Sequence, residues 1–255
     1  VVFGFFRNRR RSRLIALSAP PWWEAYLAEH MPCYDKLPPE KRARLHGLMQ
    51  VFLAEKNFEG CGGLDMTDEI RVIVAAHACL LELGREPRFY PRLYSVLVYP
   101  YDFIVETDMH DDDDLPIQGE EVRVGEAWQH GAVVLSYDGV LHGTAHRGDG
   151  ENVLFHEFAH QLDMENGDAD GYPPIADPVL RADWARVMGV EYEKLVDAVD
   201  RGRRTFLDPY GAEHPAEFFA VCTETFFEKG PVFKRKHPEL HEVLCRYYRQ
   251  DPAAQ

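Results

Sequence analysis

The spacing of apolar residues changes its period twice along the chain. From Pro38 to Phe58, Leu45, Leu48, Met49 and Phe52 fall on one face, which predicts a helix. A glycine-rich turn, Gly60 to Gly63, follows. Thr67 then suits an N-cap, with Asp68 and Glu69 in the first turn, and Gly84 is the expected stop. The body of this second helix, Ile70 to Leu83, is so apolar that burial is expected, with His77 as a core histidine. The period shortens in the middle of the chain. Tyr94 to Tyr99, Phe103 to Glu106, Val122 to Val124 and Ala132 to Tyr137 read as strands, and Asp108 to Asp114 as an acidic loop. From Glu151 the helical period returns. Helices are predicted over Asn152 to Met164, Pro178 to Val199, Pro215 to Lys229 and Pro238 to Tyr248. Pro215 and Pro238 sit in first turns, and Gly230 reads as a C-cap. Helices, a small mixed sheet, then helices make the fold class α+β.

Neither a repeat nor a long linker divides the chain of 255 residues. One domain is expected over residues 20–252, with a helical part over about 20–90 and a second part over about 91–252. Residues 1–19 read as a flexible basic tail. Val1 to Phe6 is apolar and Arg7, Arg9, Arg10, Arg11 and Arg13 follow, the reverse of a signal peptide's order. Acidic residues outnumber basic ones 43 to 28, and the net charge of −15 argues against direct nucleic-acid binding. No apolar run approaches the roughly 18 residues of a membrane span. The five cysteines include no C-x-x-C pair, so reduced thiols in a cytoplasmic monomer are expected.

Chemistry concentrates at His156-Glu157-Phe158-Ala159-His160, an H-E-x-x-H motif. On a helix the two histidines share a face and reach one metal. Zinc lowers the pKa of a bound water, and Glu157 stands beside the first ligand to take its proton. A catalytic zinc needs a third protein ligand. The extended form of the motif is absent, because position 163 is Asp and position 166 is Asn. A later helix must then supply the ligand. Glu217, among apolar neighbours, is one candidate, and Glu224, two turns further on the same face, is the other. Asp163 also shares the face of the two histidines. It suits either a carboxylate that orients a ligand or a plain capping residue.

Several separated runs resemble the Mlc titration factor A family of bacterial zinc peptidases. They are His156 to Asp163 with Asn166-Gly167-Asp168, then Asp208 to Val221, Phe226-Phe227, and Tyr247 to Pro252. Leu97 to Pro100 and Glu126 to Gly131 resemble the family's middle, so the likeness covers roughly residues 20–252. The family is in turn similar to the catalytic domain of anthrax lethal factor. The resemblance implies a zincin-type peptidase with an H-E-x-x-H helix and a following helix that carries the third ligand. It implies one catalytic Zn²⁺ on His156, His160 and Glu217, with Glu157 as general base and Tyr210 as a donor to the oxyanion. Glu224 and Asp163 then surround the ligands. Substrate is a peptide or protein, with aminopeptidase-like cleavage implied. A sugar-responsive transcriptional repressor is the implied partner. In one alternative, capture of that repressor is the main role and proteolysis is weak or absent. Gly131, Ala132, Val133 and Val134 suit either a substrate-binding edge strand or an ordinary core strand.

Overall fold

The computed structural model describes residues 2–101, 131–145 and 150–254, with no account of the side chains of residues 2–5 and 145. The strands expected at Phe103 to Glu106 and Val122 to Val124, the acidic loop and the Glu126 to His130 run lie outside the described residues.

Helices α1 (Val2–Ile15), α2 (Trp22–His30) and α3 (Pro39–Glu55) come first, followed by strand β1 (Asn57–Gly60) and helix α4 (Asp68–Glu82). Strands β2 (Ser95–Tyr99) and β3 (Ala132–Ser136) precede α5 (Tyr137–Ala145) and α6 (Val153–Asp163). The chain closes with α7 (Pro178–Asp200), α8 (Pro215–Glu228), α9 (Gly230–Lys236) and α10 (Pro238–Tyr248). A single apolar cluster joins these elements, from Trp23 and Leu27 on α2 to Leu244 and Tyr248 on α10.

A small mixed sheet was the expectation, and two of its expected strands lie outside the described residues. Among the described residues it has the order β1-β2-β3, and both pairings are parallel. Parallel neighbours need long crossovers, and α4 lies within the first of them. β1 was read as the tail of the preceding helix. That helix instead closes where Lys56 N–H bonds Phe52 O, and Asn57 N–H turns to Tyr94 O, so Phe58 enters the core from a strand. Gly230 opens α9 and does not cap α8 in a left-handed turn. A side chain there would meet the backbone of Pro252 and Ala253 at 3.0 Å, so close approach explains the glycine.

The basic N-terminus also differs from the flexible tail expected. Residues 2–15 are helical, and α1 packs on α3. Arg11 grips Glu55 through two bonds, of 2.8 and 2.6 Å, and its guanidinium lies 4.4 Å from the Phe89 ring centre. A bidentate, partly buried pair fixes geometry as well as charge, which arginine composition alone does not reveal. No helix of the described residues is long and apolar enough to cross a membrane.

Thr67 caps α4 as expected, its hydroxyl oxygen accepting Ile70 N–H. The helix is buried along most of its length, so it forms the central beam of the core. His77 is buried within it. Its Nδ1–H donates to Ile73 O at 2.9 Å, and Asn152 Nδ2 lies 3.4 Å from its Nε2. Burial lowers its pKa from the ordinary 6.5 to about 4. A histidine depressed in the folded state stabilises fully above its unfolded pKa, and that stability is lost as pH falls through the folded pKa. The shift corresponds to roughly 3 kcal/mol, lost between pH 6.5 and 4. Urea unfolding at pH 7 and pH 4 checks this: the stability drop in wild type should exceed that in His77→Gln by about this amount, and equal drops would contradict it.

Candidate metal centre

The H-E-x-x-H motif lies on α6. Its N-cap is Asn152, whose side-chain oxygen accepts the N–H groups of Leu154 and Phe155. Leu154, Phe155, Phe158, Ala159 and Leu162 are all buried, because α6 packs between α4, α8 and β3. Apolar anchoring on several sides holds the polar face rigid.

That face meets α8. His214 caps this helix, its Nδ1 accepting Ala216 N–H, and Pro215 takes the first turn. Glu217 therefore sits in the first turn, where the helix dipole favours a carboxylate. Glu224 lies two turns along. Both acids meet the same imidazole from opposite sides: Glu217 Oε2 is 2.9 Å from His156 Nε2, and Glu224 Oε1 is 2.7 Å from His156 Nδ1. Among the described residues, Glu217 is the one of the two that also meets the second histidine. His160 Nε2 lies 3.3 Å from Glu217 Oε2 and 3.1 Å from His156 Nε2.

A tetrahedral zinc with bonds near 2.0–2.1 Å spaces its nitrogen and oxygen ligands about 3.3 Å apart. The three separations here, 2.9, 3.1 and 3.3 Å, are those of a slightly contracted set. Two ring nitrogens facing each other beside a carboxylate are well suited to a shared cation, so the residues present fit zinc.

Electrostatics follow from the same contacts. Burial opposes charge on His156, yet hydrogen bonds to Glu217 and Glu224 outweigh it and push its pKa well up. Burial would raise Glu217, but bonds from His156 and His160 bring it below the usual carboxylate range. His160, fully buried, moves down chiefly through burial. Burial raises Glu224, against the pull of His156.

The remaining candidates fall into place around this cluster. Glu157 is half-buried, and its charge acts on His156. The Tyr210 ring lies 6.0 Å from that of His156 and is 42% exposed, on a short 3₁₀ turn capped by Asp208. Asp163 is not among the converging donors. It is fully buried, its Oδ2 accepts Gly171 N–H at 2.7 Å, and burial pushes its pKa up to about 7. Trp184 Nε1 donates to Gly171 O. Asp163 therefore anchors the loop after α6. β3 ends the strand order among the described residues, with Val133 and Leu135 buried and Ala132 and Val134 half-buried. Gly131 precedes it and bonds through its carbonyl to Tyr94 N–H.

Sequence reasoning missed Asn152 as a hub. Its backbone N–H donates to Glu224 Oε2 at 2.6 Å, and its Nδ2 donates to Glu228 Oε1 at 3.1 Å. An asparagine opening the motif helix was the available signal, since that residue type favours N-caps. A second ligand-like group also appears, His241, Cys245 and Asp251. It suits a cation less well. Cys245 Sγ is 3.5 and 3.6 Å from the two ring nitrogens of His241, and a sulfur so nearly equidistant lies off the lone pair of either. Lys234 also claims Asp251.

The H-E-x-x-H helix faces a glutamate on α8, a group that could hold a metal ion. The family described as glucose-regulated metallo-peptidase M90 matches residues 6–249, and the chain belongs to that family. Among its relatives, an uncharacterized protein of Synechocystis sp. is 40% identical over 246 residues, 95% of this chain and 89% of that protein. Mlc titration factor A of Cronobacter sakazakii is 34% identical over 93% of this chain and 89% of its own length. The protein of that name from Salmonella agona is 33% identical over 91% and 86%.

Proposed function

We propose that this protein is a zinc-dependent peptidase of the zincin type, with Glu217 as third ligand in the gluzincin manner. The observation that carries this reading is the convergence of His156 Nε2, His160 Nε2 and Glu217 Oε2 on one point. Zinc bound there would supply a Lewis acid that polarises a peptide carbonyl and acidifies water. Glu224 holds Nδ1–H of His156, which leaves Nε2 for the cation. Glu157 takes the proton of the attacking water at its carboxylate and returns it to the leaving amine. The Tyr210 hydroxyl donates to the carbonyl oxygen as negative charge builds there. No covalent enzyme intermediate is needed. A peptide chain lies beside β3 and pairs through its backbone.

Tyr210→Phe removes one oxyanion donor, so kcat should fall about 10²-fold with KM little changed. Steady-state kinetics check this, and an unchanged kcat would exclude Tyr210 from the reaction. Cleavage of a peptide library by zinc-loaded protein tests the reading as a whole, with free and with acetylated amino termini. Preference for free termini supports aminopeptidase-like action. Equal cleavage of both removes that part, and no cleavage of either removes the peptidase reading.

The name shared by several relatives, Mlc titration factor A, supports a second role in capturing a sugar-responsive transcriptional repressor. Repressor retained by a His156→Ala, His160→Ala variant that has lost zinc and proteolysis would make capture the primary role.

A further inference from the structure

A cavity of about 660 Å³ lies away from the metal centre, and none of the three ligands lines it. Five arginines surround it: Arg85, Arg88, Arg181, Arg246 and Arg249. Only Glu86 and Asp177 oppose them in the lining. In a chain of net charge −15 this is a marked local reversal. Two arginines are neutralised, Arg88 by Glu165 at 2.7 Å and Arg246 by Asp183 at 2.5 Å. The other three have no ion pair among the described residues. Arg85 instead donates to the Tyr247 hydroxyl at 2.8 Å and stacks 4.3 Å from its ring centre, while Arg181 bonds the carbonyl of Ile175. The apolar wall of the cavity is formed by Tyr172, 39% exposed, with Pro173, Pro174 and Leu180, while Trp184 and Tyr247 are buried behind it.

Arg249 adds a backbone argument. It follows α10 in the left-handed region, φ 52° and ψ 40°, a position that favours glycine. The conformation is enforced. Gly84 lets the chain approach so closely that an added side chain there would meet Arg249 O at 2.5 Å, and Gln250 Nε2 bonds Leu80 O at 2.8 Å. An exposed arginine with no ion pair among the described residues, carried on a left-handed backbone in the lining of a basic cavity, points to function.

We propose that this cavity binds a small molecule that carries a phosphate on a planar or ring-shaped body. Guanidinium forks match phosphate oxygens, the exposed Tyr172 ring offers a face to the ligand's ring, and the volume lies in the range of small-molecule sites, about 300–1,000 Å³. The site is independent of the peptidase reading.

Calorimetric titration of the full chain with phenyl phosphate, inorganic phosphate, benzoate and phenol tests the proposal. Phenyl phosphate should bind tightest, inorganic phosphate more weakly and phenol not measurably. Arg249→Gly should weaken phenyl phosphate binding about 10-fold or more while keeping or raising Tm, because glycine accepts the left-handed backbone without strain. Arg181→Ala should weaken it as well. No phenyl phosphate binding up to about 10 mM, a Kd unchanged by Arg249→Gly, or benzoate binding as tightly as phenyl phosphate would overturn the proposal.

Discussion

Glu157→Gln should lower the rate of peptide cleavage by about 10²–10⁴-fold while the protein keeps its zinc. The amide has nearly the size of the carboxylate, so α6 and its packing are not disturbed. It cannot accept a proton from water, so the attacking group stays weak. Glu157 is adjacent in sequence to His156 but absent from the converging donor set, which is why metal content should hold. Parallel assays of activity and bound zinc give the answer. Wild-type activity in the zinc-loaded variant would remove Glu157 from the chemistry and would leave the motif without its base.

Glu217→Ala should remove zinc at ordinary concentrations, whereas Glu224→Gln should only weaken it. Both acids touch His156, so the difference lies in which nitrogen each one faces. Glu217 meets the two nitrogens that converge, and its loss leaves two imidazoles where three ligands are needed. Glu224 meets the opposite nitrogen, and partners of that kind typically cost 10–100-fold in metal affinity when changed. Competition with a zinc-binding dye separates the two cases. Equal affinities for both variants would contradict the assignment. Because Glu224 also accepts Asn152 N–H at the head of α6, Tm should be recorded alongside.

Much of this site was legible in the sequence because it rests on local periodicity. Positions 156 and 160 share a helix face, positions 217 and 224 share another, and the apolar residues around both fix which faces are turned inward. What periodicity does not carry is the meeting of the two helices. Choosing between Glu217 and Glu224 turns on where His160 lies relative to α8, a tertiary relation that the spacing of residues does not carry. Asp163 shows the converse. Its spacing puts it on the face of the two histidines, yet its carboxylate bonds the backbone at Gly171 and is not part of the converging donor set. In the N-terminal part, α1 was read as a tail because its arginines look solvated. The partner that orders it, Glu55, is 44 residues away. β1 was absorbed into a helix because four residues are too few to show a period of two.

Anomalous scattering at the zinc edge, from crystals of the zinc-loaded protein, tests the central claim most directly. One strong peak should lie within bonding distance of His156 Nε2, His160 Nε2 and Glu217 Oε2. A peak confined to His241, Cys245 and Asp251, or none after loading, would contradict the account.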